Sequence, residues 1–511
     1  MDVVRLTDIE DDEKGPPSNE IGKTTATTVR FSARSIGSHI HTAVTPPIDQ
    51  FLPDDLLALI FRTCVDTDIK DCQPNRSAER KVTYPGKLSP WVLAQVCRRW
   101  RYLTLELSQL WNVVDVNSTD GNESPSSPLG ELVFLQLKRA KDQPLSVRYN
   151  AGGLSKGLRS VHDLSVLVTL LSRSSQWSTA TISIHTSGLL RLSSQYIGSF
   201  NLLTALHLHL LSENLSEGQL GSIVKVFRSA PKLRSLTTTG FVIILHHVAL
   251  DLPFERIVDF TSKDYDTTPV LLSYHGHYHF LQKLPNLETC MIDTPYSFNA
   301  HDLPPSVVPR FTLAHLHTLV LRNFLRGSSH IDVVLNWLTL PVLRILRFPS
   351  GFESSAALIE LLERSECSLE ELHLKFGHVH EGALFRLFDA PCMQNLRVLS
   401  IGGYRWGHGR TVDNDIFRPL TLVKPPSAVY RLPKLRALEL CDSDAWTIAS
   451  MLDMLESRWD TGNVFPGTVE KLWRLTIRNS GMKVSLNQEE KRRIEKLRDG
   501  GTFFEWNENP R

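Results

Sequence analysis

Leu369-Glu370-Glu371-Leu372-His373-Leu374 is the stretch on which the reading of this chain turns. Leucines stand at its first, fourth and sixth places, and the last two flank a polar residue. Alternation with a period of two marks a strand with one buried face. The form Leu-x-x-Leu-x-Leu recurs at Leu203/Leu206/Leu208, Leu316/Leu319/Leu321, Leu343/Leu346/Phe348, Leu396/Leu399/Ile401, Leu435/Leu438/Leu440 and Leu472/Leu475/Ile477. Degenerate copies are expected at Ile182/Ile184, Leu233/Leu236, Phe254/Ile257 and Leu287/Cys290/Ile292. First positions lie 21 to 39 residues apart, from 233 to 254 at the shortest and from 396 to 435 at the longest. Gln219–Arg228, Ile331–Leu338, Ala356–Glu363, Gly382–Phe388 and Trp446–Glu456 carry apolar residues three and four apart, which predicts helices between the strands.

Strand then helix, repeated, predicts parallel strands on one side and helices on the other. The pattern resembles a leucine-rich repeat, with a period that runs longer than usual in places. An α/β sheet that closes differently is the alternative. In such a solenoid the residues between the leucines face outward and line a binding surface. Arg322, Arg347, His373, Lys375, Arg474 and Arg478 are the candidates there, and their excess of bases points to an acidic or phosphorylated client. The loop Tyr404-Arg405-Trp406, just past the Leu399–Ile401 strand, offers residue types enriched in interface anchors.

Upstream of the repeats the chain reads differently. In Phe51-Leu52-Pro53-Asp54-Asp55-Leu56-Leu57-Ala58-Leu59-Ile60-Phe61, Pro53 suits a helix start and the two aspartates suit its first turn. Leu56, Leu57, Ile60, Phe61 and Cys64 then form a wide apolar stripe. A second helix opens at Ser89-Pro90, with Leu93, Val96 or Cys97, and Trp100 on its apolar face. Helices this short bury little surface on their own, so the stripes suggest a docking surface for another chain. Leu52-Pro53, Leu56-Leu57, Ile60-Phe61 and Val96-Cys97-Arg98-Arg99-Trp100, ending near Leu110-Trp111, together resemble an F-box. The polar stretch at 66–88 is longer than the family's usual connection.

That resemblance implies binding of a Skp1-like adaptor, and through it the cullin and RING subunits of a ubiquitin ligase. The repeats would then hold an unknown protein client. Leu52, Pro53, Leu56, Leu57, Ile60, Phe61, Leu93, Val96, Cys97 and Trp100 are the expected adaptor-binding set. The expected architecture is α+β and multidomain: a small all-α F-box followed by an irregular leucine-rich-repeat-like α/β solenoid with parallel strands. Its divisions are a disordered acidic and Ser/Thr-rich tail at 1–45, the helical segment at 46–116, a linker at 117–130, the solenoid at 131–485, and a C-terminal helix and tail at 486–511. That last helix is expected over Gln488–Arg498, with an aromatic tail, Phe503-Phe504-Glu505-Trp506, capping the final repeat.

Composition limits the function classes. The 511 residues are 41% hydrophobic and 22% charged, with a formal net charge of +1, so no global field attracts nucleic acid or an anionic membrane. No run approaches the ~20 apolar residues of a membrane span. The acidic first twenty residues do not read as a secretory signal. Seven scattered cysteines without paired spacing suit reduced thiols in an intracellular compartment. His275-Gly276-His277-Tyr278-His279 would put three imidazoles on one face of a strand, but without a supporting cysteine pair it reads as a solvated loop. His380-Glu381 lacks the second histidine of a zincin, and Gly402–Arg410 lacks the ending of a phosphate loop. No catalytic residue, metal or cofactor is therefore expected. A repeat scaffold outside the ubiquitin pathway, or an α/β enzyme whose site comes from distant residues, are the other readings.

Overall fold

The computed structural model describes residues 52–71, 89–117, 128–151, 161–196, 198–211, 222–239, 248–263, 274–296, 309–324, 330–352, 355–376, 381–402, 417–422, 430–441, 447–459, 469–478 and 486–507. The chain divides into Met1–Leu52, of which Leu52 is described, and Pro53–Arg511. The tail at 1–45, residues 72–88 of the polar insertion, and the Tyr404-Arg405-Trp406 loop lie outside the described residues.

Strand follows strand through the second unit, and the described residues build one sheet of fourteen. Its strands are β1 Val113–Asn117, β2 Leu145–Asn150, β3 Trp177–His185, β4 Ala205–Leu211, β5 Ser235–Thr239, β6 Asp259–Lys263 and β7 Thr289–Tyr296. Then come β8 Thr318–Phe324, β9 Ile345–Phe352, β10 Glu371–Phe376, β11 Val398–Gly402, β12 Ala437–Cys441, β13 Arg474–Arg478 and β14 Phe503–Asn507. Neighbours in the sheet are neighbours in the chain, and every pairing is parallel. Parallel pairs need a crossover connection, and helices supply many of them. They are α4 Pro128–Ala140, α5 Val161–Leu171, α6 Thr186–Gln195, α7 Tyr274–Leu281, α8 His330–Trp337, α9 Ser355–Ser365, α10 Glu381–Asp389, α11 Ile448–Trp459 and α12 Gln488–Asp499. Before them stand α1 Asp54–Asp71, α2 Ser89–Val96 and α3 Arg98–Glu106.

The register explains the repeat. The second leucine of each copy aligns across the sheet: Leu206 pairs with Leu236, then Phe260, Cys290, Leu319, Leu346, Leu372, Leu399, Leu438 and Leu475. All of these are buried. The third position forms a parallel row one pleat further on. Stacking like on like lets each repeat bury the apolar face its neighbour exposes. The first leucine closes the turn before its strand. In copy after copy its N–H donates three residues back, as from Leu203 to Phe200, Leu233 to Ala230, Leu287 to Leu284, Leu316 to Leu313, Leu343 to Leu340, Leu396 to Met393 and Leu435 to Leu432, at 3.1–3.3 Å.

Several expectations shift. The copy placed at Phe254/Ile257 is one turn out: Ile257 is its first position and Phe260 its second, so the intervals from 233 through 257 to 287 become 24 and 30. Likewise Ile182 is a third position and Ala180 the second, which makes Trp177 the first. Thr238 and Ser262 fill inward third positions, both fully buried, where leucine was the signal. Of the helix expected over Gln219–Arg228, the described residues from 222 onward are not helical: Ser222–Val224 pairs in parallel with Val248–Leu250 as a separate two-stranded sheet. Helix α4 begins at Pro128, inside the linker expected at 117–130, and β1 occupies 113–117 at its other edge. The boundary between 116 and 131 therefore falls inside the unit Pro53–Arg511. The aromatic tail is β14, paired in full register with β13.

Candidate functional site

Helices α1, α2 and α3 are held by aromatic packing. Phe61 of α1 is fully buried and meets Trp100 of α3 with ring centroids 4.9 Å apart. Trp91 of α2 meets Trp111 edge-on at 5.0 Å. The Arg139 guanidinium of α4 lies over both indoles, at 4.6 and 4.4 Å from their centroids, and partial burial lowers its pKa. Trp111 Nε1–H donates to the Thr104 carbonyl at 2.8 Å, and Gln136 Nε2 donates to the Val113 carbonyl at 2.5 Å. These contacts tie the helices to β1. Arg99 donates from Nε and Nη2 to Asp54 Oδ1 at 3.0 and 2.6 Å, joining α3 to the first turn of α1.

The break between α2 and α3 is local chemistry. Cys97 is extended, at φ −152°, and caps α3 by accepting from Trp100 N–H at Sγ, 3.4 Å away. Pro53 stands just before α1, where its carbonyl accepts from Leu56 and Leu57 at 3.1 Å.

With the helices in place, the expected adaptor set separates into two groups. Leu57, Phe61 and Leu93 are buried, and Cys97 and Trp100 are half-buried. These five pack the segment. Leu56, Ile60 and Val96 are 47%, 41% and 56% exposed, Pro53 is exposed, and Leu52 is half-buried. Leu59 and Val92, absent from the expected set, are 59% and 50% exposed. Leu56, Leu59 and Ile60 share one face of α1 at offsets of three and four; Val92 and Val96 share one face of α2 at an offset of four. Leu59 was legible as the residue three after Leu56. Tyr102 and Leu105 of α3 are also exposed.

The outward face of the sheet carries the second candidate site. Arg347, His373, Lys375, Arg474 and Arg478 all lie on the pleat opposite the buried leucines, half-buried or exposed. The expected basic surface is corrected at three of them. Arg347 is 2.9 Å from Glu371, Arg478 is 3.3 Å from Glu439, and Arg474 is 3.4 Å from Glu505. Each carboxylate comes from a neighbouring strand. Such exposed pairs add little stability, but they cancel the local field on which an acidic client would rely. His373 Nε2 is 3.5 Å from Glu371. Burial, and then the charge of Arg347, holds the His373 pKa below the ordinary imidazole value. Arg322 stands beside Asp293 and Lys375 beside Gly402 in register.

The histidine cluster is neither a strand nor the solvated loop that was expected, but part of a helix. His277 and His279 belong to α7, where His277 is buried and its Nε2 lies 3.1 Å from Ser262 Oγ, while His279 is exposed. The imidazole thus answers one of the polar groups that break the leucine pattern. Among the described residues no group of three His, Cys, Asp or Glu is placed to hold a metal ion, and no helix is long and apolar enough to cross a membrane. No protein-family model matches the chain, and no curated protein matches it.

Proposed function

We propose that this protein is the substrate-recognition subunit of a ubiquitin ligase of the Skp1–cullin–F-box type. In this reading α1 and α2 bind a Skp1-like adaptor, and the outward face of the parallel sheet, organised as a leucine-rich-repeat-like solenoid, holds a protein client. The observation that carries it is the exposure of Leu56, Leu59 and Ile60 on α1 and of Val92 and Val96 on α2. Five large apolar side chains on two neighbouring helices are more than an ordinary surface leaves scattered. Covering each one fully is worth about 1.5–3 kcal/mol, and half of that at half exposure, so a partner helix laid across both faces gains several kcal/mol.

On this reading the protein performs no chemistry. It raises the effective concentration of client lysines near a charged conjugating enzyme. The alternating charges of the sheet face suit a client of mixed charge better than a polyacidic one. The test is co-expression with a Skp1-like adaptor and a cullin. A stoichiometric ternary complex is expected for the wild type and its absence for Leu52→Ala/Pro53→Ala. A folded wild type that leaves the adaptor behind overturns the reading and favours a scaffold outside the ubiquitin pathway.

A further inference from the structure

The outward face of the sheet is not uniform. β3 presents Thr179, Thr181 and Ser183 on the pleat opposite its buried side chains. Their register partners on β4 are Ala205, His207 and His209. The partners of those on β5 are Ser235, Thr237 and Thr239. None of these positions holds Asp, Glu, Lys or Arg. Charge returns at the borders of the patch. Arg148 stands beside Thr181 and lies 4.0 Å from Asp115, while Asp259 and Lys263 stand beside Ser235 and Thr239. The late strands instead carry arginines and glutamates that pair with one another.

The hydroxyls and imidazoles of the patch hold one another in place. Thr179 Oγ1 donates to Ser146 Oγ of β2 at 2.8 Å. Ser183 Oγ lies 3.1 Å from His209 Nδ1, and His207 Nε2 lies 3.0 Å from Thr239 Oγ1. Ser183 and Thr239 are buried, Thr179 is exposed, and the rest are half-buried. Side chains fixed in this way lose little freedom when a partner lands on them. Each hydroxyl can donate as well as accept, so the patch answers an amide in either direction. A charged group set against it gives up its hydration and meets no counter-charge.

We propose that β3 to β5 are the client-docking part of the outward face, and that the docked partner is an extended, uncharged peptide segment rich in Ser, Thr, Asn and Gln. This assignment rests on the outward face being the client surface, and not on adaptor binding. Charge and spacing both point to such a segment. Strands lie about 4.8 Å apart and residues along a strand about 3.3 Å apart, so the patch spans about 10 by 13 Å and takes about four extended residues. Selectivity comes from the rejection of Asp, Glu, Lys and Arg rather than from one anchor.

The test pans a phage-displayed library of random peptides on the immobilised full chain, without adaptor, and measures the consensus peptide by fluorescence polarisation. The enriched peptides should share a segment free of Asp, Glu, Lys and Arg. Affinity should fall at least about tenfold in Thr181→Lys/Thr237→Lys and stay unchanged in Arg474→Ala/Arg478→Ala. Should the first variant fail to fold, Thr179→Lys, at an exposed position, makes the same test. Charged peptides that lose binding in Arg474→Ala/Arg478→Ala would keep a client on the face and overturn the neutral patch as its site. Neutral oligosaccharides binding on an array where no peptide is enriched would assign the patch to sugar and overturn it. No binding of any kind would overturn both the patch and the client role of the face.

Discussion

Arg458 joins three backbone carbonyls in the late repeats. It lies on α11, fully buried, and its guanidinium donates to the carbonyls of Leu420, Leu432 and Arg431 at 2.7, 3.0 and 2.8 Å. Burial pulls its pKa down to about 10. One of its acceptors, Leu432, has φ +47°, a conformation costly for a branched side chain. The arginine thus clamps the strained turn that precedes β12. Arg458→Met removes three charge-assisted bonds and leaves buried carbonyls unpaired, so a loss of roughly 3 kcal/mol is expected in urea unfolding. Arg458→Lys should recover little, because an ammonium cannot reach three carbonyls in a planar fork. An unchanged urea midpoint in Arg458→Met would refute the clamp.

His373 gives the residue-scale pH dependence. Its pKa is depressed in the fold, so the unfolded chain binds a proton more readily. Its stability contribution is therefore whole above the ordinary imidazole value of about 6.5 and is lost as pH falls through the lower folded value. Thermal melts should show a stability decline below about pH 6.5 that His373→Gln flattens. An equal decline in the variant would assign it to other groups. Sequence alone pointed to His373, Arg347, Arg474 and Arg478 as outward, and they are outward. It missed their carboxylate neighbours because Arg347 and Glu371 are 24 residues apart in the chain. Only the strand register places them side by side.

At the scale of elements, the strands were the most legible feature because each buried row repeats one chemistry. The early strands were least legible, since Val114, Val147 and Ala180 replace leucine in the same row. The histidine helix α7 was misread because His275, His277 and His279 alternate. Its buried residues, His277, Tyr278, Phe280 and Leu281, follow helical spacing. Of the F-box-like helices, the apolar stripes were legible, but the division between packing and exposed residues was not. A stripe five residues wide looks the same whether both its edges are covered or only one.

That division predicts two classes of variant on α1. Leu57→Ala and Phe61→Ala should each cost about 2–5 kcal/mol of stability, read by chemical unfolding, because they open cavities under the helix. Leu56→Ser and Ile60→Ser should each change stability by no more than about 0.5 kcal/mol. Equal costs in the two classes would contradict the burial assignment. At the other end of the unit, Gly500 follows α12 where an added Cβ would collide with the Trp459 ring. Gly500→Ala should lower the melting temperature by displacing that tryptophan.

For the whole molecule, one parallel sheet runs from β1 to β14, and its ends are the weak points of the design. A parallel edge strand presents unpaired N–H and C=O groups to any other strand. β14 covers the edge of β13, and α12 is tied to α11 through Arg493, whose guanidinium meets Asp453 and Glu456 at 2.7–2.8 Å. Removing residues 486–511 should therefore expose β13 and produce a chain that associates, read as rising mass in light scattering. A monomeric, equally stable truncation would show that the final strand is dispensable.

The most direct measurement is a calorimetric titration of a Skp1-like adaptor into the full chain and into Leu56→Glu/Ile60→Glu. Saturable one-to-one binding to the wild type is expected. In the variant a loss of at least about a hundredfold, or about 2.7 kcal/mol, is expected, with thermal stability unchanged. Equal affinity in both chains, or no heat of binding to a folded wild type, would contradict it.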